Sequence, residues 1–113
     1  MFKRDIRLYL ADIEDSIAAI EEFTAGMEYE ESAGDRKTYS ATLREFIVIG
    51  EAIANIPDEV KNRVPSIEWR LIKDFGNFVV HEYFGIDARI VWDAVRQELS
   101  VLKEEVARLR QAL

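Results

Sequence analysis

The chain has 113 residues, with 22 carboxylates against 15 lysines and arginines, one histidine and no cysteine. That length suffices for one domain, read as residues 1–113, and is too short for two ordinary ones. The net charge of −7 excludes a protein that coats nucleic acid by charge alone, and the missing cysteine excludes disulfides, thiolate metal sites and a cysteine nucleophile.

In chain order, Lys3 to Gly26 carries Ile6, Leu10, Ile13, Ile17 and Ile20, spaced as one face of a helix, with Gly26 as its stop. Met27 to Gly34 is acidic and without a sustained period, and reads as a connector with at most a continuing helical turn. From Asp35 to Asn55 a second helix is expected on Tyr39, Leu43, Phe46, Ile49 and Ile53, widened by Val48 and Ala52. Gly50 sits inside it, which asks for close approach of another helix or of a ligand. Glu51 is left open as a buried or an exposed acid.

Pro57 opens a short helical segment that Pro65 closes. Ser66 is expected to cap a further helix on Ile67, Leu71 and Phe75, then Phe78 or Val79, running to about Tyr83 and ending at Gly85. Asp87 caps the last helix, where Val91, Val95, Leu99, Leu102, Val106, Leu109 and Leu113 give the cleanest periodicity of the chain, with Trp92 beside it. Arg108 and Arg110 suit the negative end of its dipole. Nothing alternates like a strand. The expected fold is all-α: an up-down four-helix bundle with one short extra helix, its last stripe long enough to bury in part against a second copy, as a homodimer. No apolar run is long enough for a signal peptide or a bilayer span, so the expected location is cytoplasmic, without a membrane partner.

Chemistry concentrates in Asp74 to Asp87, D-F-G-N-F-V-V-H-E-Y-F-G-I-D, which holds the lone histidine, His81. Asn77 and His81, at i and i+4, share a helix face with Asp74. His81 falls in the last turn, where an imidazole can give or take a proton near neutral pH. A lone histidine is more often a surface or core residue than a catalyst, and by itself assigns nothing. With no second histidine and no recognisable carboxylate loop, neither a metal nor a cofactor is expected.

Longer strings are more specific. I-G-E-A-I-A-N-I-P at Ile49 to Pro57, W-R-L-I-K-D-F from Trp69, N-F-V-V-H-E-Y-F-G-I-D at Asn77 to Asp87 and V-W-D-A-V at Val91 to Val95 span much of the chain. In these the sequence resembles the HepT-like toxins of the HEPN (higher eukaryotes and prokaryotes nucleotide-binding) superfamily. The resemblance implies a homodimeric helical bundle that cleaves RNA without metal, in a cleft formed by two copies. It implies acid–base work for His81, a supporting role for Asn77, and an arginine five positions before the histidine that stabilises phosphorane charge. It also implies a minimal nucleotidyltransferase (MNT) antitoxin as partner, transferring AMP to Tyr83 of H-x-Y.

At the arginine position stands Gly76. Glycine cannot replace a guanidinium fork, and losing one such donor costs about 3–4 kcal/mol of transition-state stabilisation. Lys73 lies about 80° round the helix from His81, and Arg70 about 16 Å along it, so neither is a direct substitute. The expectation is a ribonuclease toxin with weak or no activity. The competing expectation is a catalytically inactive helical subunit that binds, and is modified by, a nucleotidyltransferase.

Overall fold

The structure, a computed structural model, describes residues 4–64 and 68–113. Seven α-helices are present among them: α1 Ile6–Thr24, α2 Tyr29–Gly34, α3 Arg36–Ala54, α4 Asp58–Lys61, α5 Trp69–His81, α6 Ala88–Asp93 and α7 Leu99–Ala112, with a π-helical turn at Ala94–Glu98 joining the last two. The fold is all-α, and no strand occurs among the described residues. Four long rods are formed, by α1, α3, α5 and the run from α6 to α7, as expected.

The short elements differ from expectation. The acidic connector is a helix, α2, because Glu28 and Glu31 form a reciprocal capping box that satisfies the first-turn amides. There are therefore two short helices, α2 and α4, rather than one. Pro65, Ser66 and Ile67, on which a corner, a cap and a core position were expected, lie outside the described residues. Gly26 does stop α1, at a φ of 73° that an L side chain rarely adopts.

Helix α3 is central, packing on α1 along one side and on α5 along the other. Leu10, Ile13, Ile17 and Ile20 of α1 meet Leu43, Phe46, Ile49 and Ile53 of α3, all buried in one core. Leu99, Leu102, Val106 and Leu109 of α7 join the same core. The stripe of α7 is thus largely used within the chain. Arg110 completes it by pairing with Glu14 at 2.6 Å rather than only facing the helix end. Trp69 ties the start of α5 to α4 by donating its indole N–H to the Lys61 carbonyl at 3.2 Å.

Gly50 and Gly76 mark the crossing of α3 and α5. A Cβ added to Gly76 would lie 2.9 Å from the Cα of Gly50 and 3.3 Å from the Phe46 carbonyl oxygen. A Cβ added to Gly50 would lie 3.1 Å from the Cα of Gly76. The two backbones therefore touch with no side chain between them, which answers the question raised by a mid-helix glycine in favour of helix approach.

That crossing corrects the expected inner face of α5. Its buried residues are Trp69, Gly76 and Val79, with Ile72 and Phe75 half-buried. Leu71 is 61 % exposed and Phe78 36 % exposed. Both belong to a parallel stripe with the same period, turned sideways because the glycine takes the inner position.

Gly76→Ala tests the crossing. Alanine helps an isolated helix by about 1 kcal/mol, but overpacking against a rigid backbone costs about 1–3 kcal/mol. Urea denaturation should therefore give a net loss. Gly85→Ala, whose Cβ meets nothing within 4 Å, should change stability by less than about 0.5 kcal/mol.

Candidate active site

The outward face of α5 follows from the inward one. With 100° per residue, Arg70, Lys73, Asp74, Asn77 and His81 fall within an arc of about 100°, opposite Ile72 and Val79. All five are exposed. Asn77 and His81 are about 40° apart and about 6 Å along the axis. Neither side chain has a hydrogen-bond or ion-pair partner among the described residues. Their polar atoms are open to a ligand. Arg70 pairs with Asp74 at 3.8 Å, one turn apart and largely in solvent. Asp74 is thereby directed towards Arg70.

Helix α5 ends at His81, two residues earlier than expected, and Glu82 donates its N–H back to the Phe78 carbonyl at 2.9 Å. A tight turn follows, closed by the Gly85 N–H on the Glu82 carbonyl at 2.8 Å. Gly85 makes this turn without a positive φ, so the stop comes from the turn's hydrogen bond rather than from a left-handed glycine. Tyr83 and Phe84 form its corner. Their rings meet edge to face, with centroids 5.4 Å apart. Asp87 then caps α6 by accepting from the Arg89 N–H at 2.8 Å.

The structure thus gathers His81, Asn77 and Tyr83 at one end of α5. It does not bring Gly76 to them. Position 76 points about 140° away from His81, into the backbone of α3. Its burial there has a packing cause, and an arginine could enter only if α3 and α5 moved apart.

Tyr39 is a residue that periodicity placed only in a core stripe. Its hydroxyl is buried without a partner among the described residues, as is that of Thr42. Burial, then the neighbouring Asp87, Tyr29 and Tyr83, push its phenol up from the ordinary value. Tyr39 therefore lies within electrostatic reach of the turn that carries Tyr83. No spacing rule would have paired residues so far apart in sequence.

Beside the polar stripe runs a largely apolar groove of about 480 Å³ between α3, α5 and α7, lined among others by Phe46, Leu71, Phe75 and Val101, with the carboxylates Glu68 and Glu98 at its wall. Leu71 and Val101 stand 61 % and 54 % exposed at its edges. Among the described residues no group of three or more His, Cys, Asp or Glu side chains could hold a metal ion, and no helix is long and apolar enough to cross a membrane.

His81→Ala and Asn77→Ala should leave the urea midpoint within about 0.5 kcal/mol of the parent, as expected for exposed, unpaired side chains. Gly76→Arg should lower stability by more than Gly76→Ala does. A Gly76→Arg protein with an unchanged midpoint would show that the two helices are not locked at this crossing.

The family model described as Ribonuclease HepT-like matches residues 13–109. A protein of Thermococcus cleftensis named "Probable ribonuclease HepT" is 38% identical over 109 residues, covering 96% of this chain and 99% of that one. A protein of Methanocaldococcus jannaschii named "Putative RNase" is 38% identical over 95 residues, 84% of this chain and 78% of its own. Another from the same organism, with the same description, is 34% identical over 109 residues, 96% and 90% of the two chains. No solved structure matches the chain. The all-helical core, the exposed histidine at the end of α5 and a family match over most of the sequence agree, and the chain belongs to the ribonuclease HepT-like family.

Proposed function

We propose that this chain is the toxin of a HEPN/MNT (type VII) toxin–antitoxin pair, a metal-independent endoribonuclease of low activity. The observation that carries the reading is the pair Asn77 and His81, exposed and unpartnered on one face of α5, with Tyr83 at the turn that follows. An imidazole at that place takes the proton from an RNA 2′-hydroxyl as its oxygen bonds to the adjacent phosphorus. The P–O5′ bond breaks, and an imidazolium returns a proton to the departing 5′-oxygen. The products are a 2′,3′-cyclic phosphate and a free 5′-hydroxyl. One histidine cannot be base and acid in the same turnover without changing state, and a second copy supplies the other. The Asn77 amide donates to a non-bridging phosphoryl oxygen.

A homodimer suits the groove between α3, α5 and α7. Its apolar lining flanks the polar stripe of α5, so a copy seated there brings a second stripe to the edge of the first. Tyr83, 38% exposed, is accessible to the nucleotidyltransferase antitoxin. AMP on its hydroxyl places a bulky anion beside His81 and blocks an anionic substrate. The second reading, an inactive subunit and substrate of that transferase, is favoured by Gly76, since no guanidinium stands at the arginine position.

Cleavage of single-stranded RNA should be weak, metal-independent and lowered about 10²–10⁴-fold in His81→Ala. Full activity in His81→Ala would refute the assignment; complete inactivity of the parent, with Tyr83 still accepting AMP by mass spectrometry, would establish the second reading. Leu71→Glu and Val101→Glu should convert dimer to monomer in light scattering after size exclusion. Retention of the dimer in both would move the interface elsewhere.

A further inference from the structure

Phe84 has no role in the chemistry above, yet its ring is fully exposed. An exposed apolar ring standing alone needs no explanation by itself; what singles Phe84 out is its position, in the turn directly after the α5 histidine. Its place is fixed by the backbone: Tyr83 and Phe84 occupy the corner of the Glu82–Gly85 turn, closed by a 2.8 Å hydrogen bond directly after α5 ends at His81. Tyr83 props the Phe84 ring edge to face, leaving the ring's open surface to solvent.

The occupant can be narrowed by position and charge. The groove suited to a second copy draws on Leu71, Ile72 and Phe75 of α5. Phe75 already lies about 9 Å along the axis from His81, and Phe84 lies beyond His81. Glu82 and Asp87 flank the aromatic corner, both exposed. Their carboxylates repel a phosphate but not an uncharged flat ring. Arg70 and Lys73 lie on the other side of His81 along α5 together with Asp74, which pairs with Arg70 at 3.8 Å, so Lys73 is the cation open to a phosphate there. The end of α5 therefore separates two kinds of contact, with a cation before the histidine and an aromatic ring after it.

Resting on the ribonuclease reading, we propose that Phe84, propped by Tyr83, is a stacking platform for an unpaired nucleobase next to the scissile phosphate. Single-stranded RNA is commonly held in this way, by bases splayed onto aromatic rings while the backbone is held by polar groups. The platform selects single-stranded over duplex RNA, because a paired base does not offer its face. It also gives modification of Tyr83 a second effect, since an AMP group there covers the ring's neighbour.

The test uses the full-length chain and a short single-stranded RNA with 2′-O-methyl groups, which binds but cannot be cut, carrying 2-aminopurine. Phe84→Ala should weaken binding about tenfold and abolish the quenching that stacking causes. Phe84→Trp should restore both. If the parent binds and quenches but Phe84→Ala does the same, the platform is refuted while the ribonuclease reading stands. If the parent does not bind single-stranded RNA at all, both fall. If Phe84→Ala alters the oligomeric mass in light scattering, the ring belongs to a contact between copies and the platform is again refuted.

Discussion

Where Gly50 and Gly76 meet, α3 and α5 touch backbone to backbone, and the rotation of α5 about its own axis is decided there. With Gly76 turned in, Val79 and Ile72 follow into the core at helical spacing. Asn77 and His81 are then turned out, and Leu71 and Phe78 are turned to the side. The polar stripe, the apolar flank and the buried face of α5 are three consequences of one close contact. A single Cβ at either glycine would need space that the other helix's backbone occupies. The site is thus oriented by packing several residues away from the atoms that would meet a substrate.

The same contact explains what could and could not be read from the residues in order. In α1, α3 and α7 one apolar stripe dominates, and Leu10 to Ile20, Leu43 to Ile53 and Leu99 to Leu109 lie where periodicity puts them. In α5 two stripes of the same period run side by side, one through Leu71, Phe75 and Phe78 and one through Ile72, Gly76 and Val79. Hydropathy favours the first, since it contains more apolar surface. Packing takes the second, since only glycine permits the closest approach. The shared, exposed helix face of Asn77 and His81 was legible from their spacing. What was hidden was the exposure of Phe84, the approach of Tyr39 to the turn, and the direction of position 76. All three depend on how separate elements meet. The helix α2 was hidden for a different reason. Its cap is made by two glutamates in a run of acids, which resembles a solvated turn until the hydrogen bonds are seen.

Charge sets a limit on how RNA could be held. Each chain carries −7, and a second copy doubles it, so long-range attraction cannot gather a polyanion. At physiological salt the screening length is about 8 Å, so Arg70 and Lys73, about 16 Å and about 12 Å along the axis from His81, are largely screened there, while the exposed Glu82 and Asp87 stand in the segment that follows. Binding there has to draw on directional hydrogen bonds and on stacking, which net charge does not weaken. An exposed asparagine, an exposed imidazole and an exposed aromatic ring are the groups that stand there.

Position 76 brings stability and chemistry into conflict. The motif that the chain resembles has an arginine there, where it would help to carry the charge of a phosphorane. In this fold the position is filled by the α3 backbone, and only the absence of a side chain lets the helices close. The two requirements cannot be met together without moving α5. Moving it would rotate Asn77 and His81 as well, since all three sit on one rigid helix. Gly76 is therefore not a simple deletion of one catalytic group. It fixes a helix crossing, and that crossing sets where the remaining groups point. A chain of this kind holds the histidine, the asparagine and the tyrosine at one end of α5, with the α3 backbone and no guanidinium at position 76.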